Sequence, residues 1–175
     1  MGSPEDEAGR RPNEGPQHEV SVDDFYLGIA EVTNSEYARF LAEAPAQTEP
    51  KFWSDERLNS PDQPVVGVSW DDAQAYCRWA GLALPTEAQW EYAVRAGTTT
   101  AFSFGDHITL EQVNYYVDPY GEGARDATVP GRSLPANPWG LYEVHGNAWE
   151  WCEDLLGSYE YLAVRRGDGL RRHTL

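Results

Sequence analysis

Three times in this sequence a hydroxyl residue stands three places before a side chain that can answer it, and each pair opens an apolar repeat of helical spacing. Thr33 precedes Glu36, Ser69 precedes Asp72, and Thr86 precedes Gln89. Each pair reads as a capping box, in which the hydroxyl accepts from a backbone N–H of the first turn and the acid or amide reaches back to the cap. The first box predicts a helix with Tyr37, Phe40, Leu41 and Ala44 on one face and Pro45 as its stop. The second predicts a helix burying Ala73, Tyr76, Cys77 and Ala80 and ending at Gly81. The third predicts a helix with Trp90, Ala93 and Val94 inside and Gly97 as its stop. Removing any one cap hydroxyl is expected to cost about 1 kcal/mol.

The rest of the chain is less regular. Residues 1–19 are polar and read as a loop or mobile arm. From Val20 the text alternates, with Val20, Val22 and Phe25 among Glu19, Ser21 and Asp23, which predicts a strand through about Leu27. Residues 45–64 hold four prolines and read as a long surface loop. Val65-Val66-Gly67-Val68 is a short apolar run into the second cap. Residues 98–140 scatter Gly, Pro, Asp and Asn among aromatics. A loop-rich stretch of that length needs something to hold it, and function or a bound metal is the usual reason.

A chain of 175 residues has room for one domain. Its 29 acidic and 13 basic residues leave a formal charge of −16, which excludes nucleic acid as the default partner and disfavours an anionic membrane surface. The same excess permits cations, and calcium prefers oxygen ligands; the alternative is a solvated acidic surface. No window approaches the length of a membrane-spanning helix. Residues 1–7 show neither a basic region nor an apolar stretch of a signal peptide, so a cytoplasmic location is expected. The two cysteines, Cys77 and Cys152, make neither a disulfide framework nor a zinc site. Both read by default as core residues rather than nucleophiles.

The densest signal is Gly140-Leu141-Tyr142-Glu143-Val144-His145-Gly146-Asn147-Ala148-Trp149-Glu150-Trp151-Cys152. Gly146-Asn147 marks a tight turn whose carbonyls can point to one side, and Glu143 and Glu150 bracket it with carboxylates. Two carboxylates and converging carbonyls suit calcium. A turn that sends Trp149 and Trp151 into different environments is the alternative. His145 has no second histidine or cysteine at ligand spacing and reads as a packed or hydrogen-bonded side chain.

Glu31-Val32-Thr33-Asn34, Pro64-Val65-Val66-Gly67-Val68-Ser69-Trp70, Leu84-Pro85-Thr86-Glu87-Ala88-Gln89-Trp90-Glu91-Tyr92-Ala93 and the tryptophan motif occur in that order. Together they closely resemble the sulfatase-modifying-factor family, which includes the formylglycine-generating enzymes and related domains of ergothioneine and pyoverdine biosynthesis. The resemblance covers essentially residues 1–155. It implies an α+β, loop-rich, C-type-lectin-like formylglycine-generating-enzyme fold over residues 20–162, with a polar arm at 1–19 and a divergent tail at 163–175. It also implies a structural calcium site at Glu143, Gly146, Ala148 and Glu150, the two acids through side chains and the others through carbonyls. The family more often has Asp or Asn where Glu143 stands. A second implied site starts at Asn114 and the carbonyl of Tyr115. Its carboxylate is due near Gly123, where the nearest acids are Glu122 and Asp126.

The departures from the family pattern shape the functional expectation. Formylglycine-generating enzymes oxidise a substrate cysteine with copper held by a cysteine pair beyond the tryptophan motif, and no cysteine follows Cys152 here. The ergothioneine branch draws its iron ligands largely from an added helical domain. Neither centre can be assembled from these residues, so copper is not expected in this chain. Met1-Gly2-Ser3 resembles the point reached after the family's opening strand. Residues 163–169 resemble the approach to its "RGGSW" segment, and the closing strands are not matched. Ala83 replaces a usual arginine, which implies a lost ion pair. The expectation is a family domain that is not catalytic alone, with a protein or peptide partner. A calcium-stabilised lectin-like module for a protein or glycan is the alternative, and a truncated product is a third reading.

Overall fold

The structure, a computed structural model, describes residues 1–7, 9–115, 125–155 and 163–172. Three helices form where the capping boxes place them. They are α1 (Asn34–Glu43), α2 (Trp70–Ala80) and α3 (Glu87–Arg95). Each box closes in both directions. The amides of Glu36, Asp72 and Gln89 donate to the hydroxyls of Thr33, Ser69 and Thr86, at 3.3, 3.2 and 3.2 Å. α2 ends at Gly81 in the left-handed conformation, as its glycine predicts. α3 ends one residue earlier than Gly97 implies, because Ala96 itself takes the left-handed cap at φ +48°.

By contact, the chain forms two compact units, one of Met1–Leu27, Pro85–His107 and Cys152–Leu175, the other of Gly28–Leu84 and Ile108–Trp151. The second unit is built on α1 and α2. Tyr37 and Phe40 lie one turn apart on α1, and Tyr76 and Cys77 are neighbours on α2, all at most 8% exposed. Tyr37 stacks on Tyr76 at 5.6 Å between ring centres, and Phe40 meets Tyr76 edge-on at 5.7 Å. Offset and edge contacts of this kind add about 1 kcal/mol each beyond burial. Burial also pushes the Cys77 thiol above its ordinary range, which keeps it neutral, as a core cysteine should be.

The loop of residues 45–64 is anchored by one buried amide. Gln63 Nε2 donates to the carbonyls of Arg57 and Thr128 at 2.9 and 2.6 Å, and its Oε1 accepts from Ser60 N–H. Asn34 does the same from α1, donating to the carbonyls of Leu58 and Ser60. Side-chain amides, with donors and an acceptor at one point, are suited to holding irregular backbone.

The other unit is organised around α3. The polar arm is not left loose: Gly2 N–H donates to both carboxylate oxygens of Glu91, and Glu91 pairs with Arg95 at 2.8 Å along the helix. Asp154 accepts from Glu87 N–H at 2.6 Å and from Arg171 N–H at 2.7 Å, so one carboxylate serves both the start of α3 and the last described segment. Arg171, 1% exposed, pairs with Glu87. Among the described residues, strand is confined to a two-residue antiparallel pair, β1 (Ala163–Val164) and β2 (Arg171–Arg172).

The strand expected from Val20 to Leu27 does not form. Its alternation is real, since Val20, Val22 and Phe25 are half-buried between exposed neighbours. Its backbone pairing is limited to the isolated parallel bridge of Val22 to Gly167, with Asp23 N–H donating to the Gly167 carbonyl at 2.6 Å. Alternation reports which side chains turn inward, whereas a strand also needs a continuous partner along its edge.

The caps allow a graded prediction. Thr33→Ala and Ser69→Ala each lose one capping acceptor and should cost about 1 kcal/mol. Thr86 is 2% exposed, and its hydroxyl also donates to the Asp168 carbonyl. Thr86→Ala should therefore cost about twice as much, since it also leaves a part-buried carbonyl without its donor. Urea denaturation of the three variants measures the order; equal losses would mean that the Asp168 contact contributes nothing.

Candidate functional site

The turn at Gly146-Asn147 lies in the unit built on α1 and α2, and its geometry follows from two residues. Asn147 sits at φ +69°, a left-handed conformation that asparagine tolerates better than most side chains. Gly146 packs directly on the backbone of the segment carrying Asn114. A Cβ there would collide with the Asn114 carbonyl oxygen and lie 2.9 Å from Val113 Cγ1. Only glycine lets these two backbones approach so closely.

Asn147 is the hub. Its N–H donates to the Asn114 carbonyl at 2.6 Å. Its Oδ1 accepts from Asn114 Nδ2 at 3.0 Å and from Val129 N–H at 2.8 Å. Its Nδ2 donates to the Val129 carbonyl at 3.2 Å and to Glu31 Oε2 at 3.0 Å. The side-chain amide has thus used all of its hydrogen-bonding capacity. Asn114 is itself buried, and it spends its second amide proton on the Ala127 carbonyl.

Glu31 brings a carboxylate to this turn from just ahead of α1. Its pKa is pushed up to about 8, chiefly by burial and further by the charges of Glu150 and Glu143; the side-chain amide of Asn147 and the backbone of Ala148 oppose this. Glu31 Oε1 is sealed from solvent and has no hydrogen-bond partner.

Glu143 is 5% exposed and stands at φ +55°. Its Oε2 accepts from Arg132 N–H at 2.9 Å, and its Oε1 accepts from Ser133 and Leu134 at 3.1 and 3.2 Å. One carboxylate therefore closes three successive amides. Each would cost about 1–3 kcal/mol if left buried and unmet.

The remaining expected site residues divide between the turn and its surroundings. The Gly146 carbonyl accepts Ala148 N–H at 2.9 Å and keeps a second lone pair. Glu150 is exposed and acts on Glu31 through charge. Asn114, expected to open a second site, is drawn into the hub of the first, with Tyr115 half-buried beside it. Gly123 and Glu122 lie outside the described residues, and Asp126 is exposed. Trp149 is 97% exposed, whereas Trp151, 47% exposed, donates its ring N–H to the Val68 carbonyl at 3.1 Å. His145 is half-buried.

Glu31 and Asn147 are the two residues that reasoning from the sequence did not place in the site. Glu31 belongs to a noted motif, but 116 positions separate it from its partner. Among the described residues no three His, Cys, Asp or Glu side chains converge as metal ligands. A cation at this turn would have to draw on backbone carbonyls as well as carboxylates, which is a donor set that suits calcium rather than zinc or copper.

The family model for the sulfatase-modifying factor enzyme 1-like domain matches residues 1–173. The chain belongs to that family. It is 31% identical to the formylglycine-generating enzyme of Bos taurus over 83% of its own length and 52% of that protein's. It is equally, at 31%, similar to the inactive C-alpha-formylglycine-generating enzyme 2 of Bos taurus, over 90% of this chain and 69% of that one. The solved structure of PvdO from Pseudomonas aeruginosa matches 97% of this chain and 71% of its own, with 28% identity and a TM-score of 0.80. The domain thus has the sulfatase-modifying-factor fold. It spans about half, or less, of the length of the curated relatives it matches first. Among its described residues no helix is long and apolar enough to cross a membrane.

Proposed function

We propose that this sulfatase-modifying-factor domain binds a structural calcium ion at the turn of residues 143–150 and serves as a binding domain that does not oxidise cysteine on its own. The observation that carries the reading is the Glu31 carboxylate held against this turn by Asn147, with one oxygen buried and without a hydrogen bond and with the charge of Glu150 acting on it. A carboxylate in that position is stabilised by a cation, and the carbonyls of Gly146 and Ala148 supply the neutral oxygens calcium also takes. The ion's role is to fix an irregular loop region, in an α+β, lectin-like arrangement.

The non-catalytic part rests on the cysteines. The sequence has two, and Cys77 is buried with its thiol held neutral. A neutral buried thiol is a poor copper ligand. Similarity to one relative named as an enzyme and, equally, to one named inactive leaves activity to be decided by such residues. The partner is proposed to be a protein or peptide. A second reading, a lectin-like module for a glycan, is favoured by Trp149, whose ring is almost wholly open to solvent.

Two measurements test the reading. Calcium should raise the melting temperature, and Glu150→Ala should abolish the rise; no shift at millimolar calcium would remove the site. Titration with copper(I) should show no tight stoichiometric binding, and a tight site lost on mutation of Cys77 or Cys152 would restore the oxidase reading.

A further inference from the structure

The position that the wider family pattern gives to a side-chain ligand is occupied here by Glu143, and Glu143 is otherwise engaged. Both lone pairs of its Oε1 are taken by Ser133 and Leu134, and its Oε2 accepts from Arg132. To turn toward the Gly146–Ala148 segment it would have to release three amides at once. Glu31 is in the opposite condition. Its Oε2 is held at 3.0 Å by Asn147, the residue between the two expected carbonyl ligands, while its Oε1 is buried without a partner. Asn147 cannot serve it, because its amide protons go to Val129 and Oε2.

We propose that in this chain Glu31 supplies the second charged ligand of the cation held at the Gly146–Ala148 turn, through its buried Oε1, and that Glu143 is the latch of residues 132–134. The assignment rests on the calcium reading above and names the side chains that realise it. Glu31 and Glu150 then contribute the charge, and the carbonyls of Gly146 and Ala148 the neutral oxygens.

Isothermal titration of calcium chloride into the metal-stripped chain tests this, with wild type, Glu31→Gln and Glu143→Gln compared. Glu31→Gln keeps the side chain's shape and an acceptor for Asn147, so loss of binding cannot be ascribed to a lost hub. It should weaken calcium binding by at least about tenfold, because ligand charge sets affinity in such sites. Glu143→Gln should leave calcium affinity essentially unchanged while lowering the metal-free melting temperature. Wild-type affinity in Glu31→Gln overturns the assignment, and so does a loss in Glu143→Gln as large as in Glu31→Gln. Should Glu143→Gln fail to fold, the Glu31→Gln titration decides alone. A wild type that takes no calcium removes the calcium reading itself, whereas a wild type that binds beside an unaffected Glu31→Gln removes only Glu31.

Discussion

Gly146→Ala is expected to destabilise the chain by about 2–4 kcal/mol, near the upper end for a single added methyl. The methyl would enter space occupied by the Asn114 carbonyl, which cannot swing aside as a side-chain tip can. That carbonyl is also the acceptor for Asn147 N–H, so relief of the clash would break the 2.6 Å bond that seats the hub. Gly131→Ala is the matched control. There a Cβ would meet its nearest neighbours at 3.8 Å, ordinary contact distance. Urea denaturation should show Gly131→Ala within about 0.5 kcal/mol of wild type. Equal stability of both variants would mean that the two backbones are not as close as described.

The second large effect is on the pH dependence of the calcium-free chain. The Glu31 pKa moves from 4.5 to about 8 in the folded state. Between those values the folded chain binds more protons at this site than the unfolded chain does. Stability therefore falls as pH rises through that window, by up to about 5 kcal/mol once the carboxylate is fully ionised. Asp154, which burial also raises, acts in the same direction. The informative quantity is thus the difference between variants. Glu31→Gln should flatten the wild-type profile between pH 5 and 8 by several kcal/mol, on the order given by linkage, and should be the more stable of the two near pH 8. Parallel profiles would show that Glu31 ionises normally.

How much of this was legible depends on the distance over which each interaction acts. The three helices were legible because a capping box is complete within four residues, and Thr33, Ser69 and Thr86 each carry theirs. The turn at Gly146-Asn147 was legible for the same local reason. The strand expected from Val20 does not form: inward-facing valines reveal burial but not whether a neighbouring edge runs alongside. The role of Glu31 was hidden for a deeper reason: its partner is 116 residues away. Glu143 was visible as an acid beside a turn, yet the donors that engage it are main-chain amides, which leave no trace in side-chain identity. The family resemblance points to the Gly146-Asn147 turn. It could not say how a glutamate at that position is used.

The calcium ion proposed for this turn is open to direct test. A crystal structure of the calcium-loaded chain, with anomalous data, tests it most directly. The prediction is one anomalous peak at the Gly146–Ala148 turn, with the two carbonyl oxygens and a Glu31 oxygen at about 2.3–2.6 Å. A calcium-loaded crystal with no peak at that turn, and with Glu31 Oε1 still unpartnered, would contradict it.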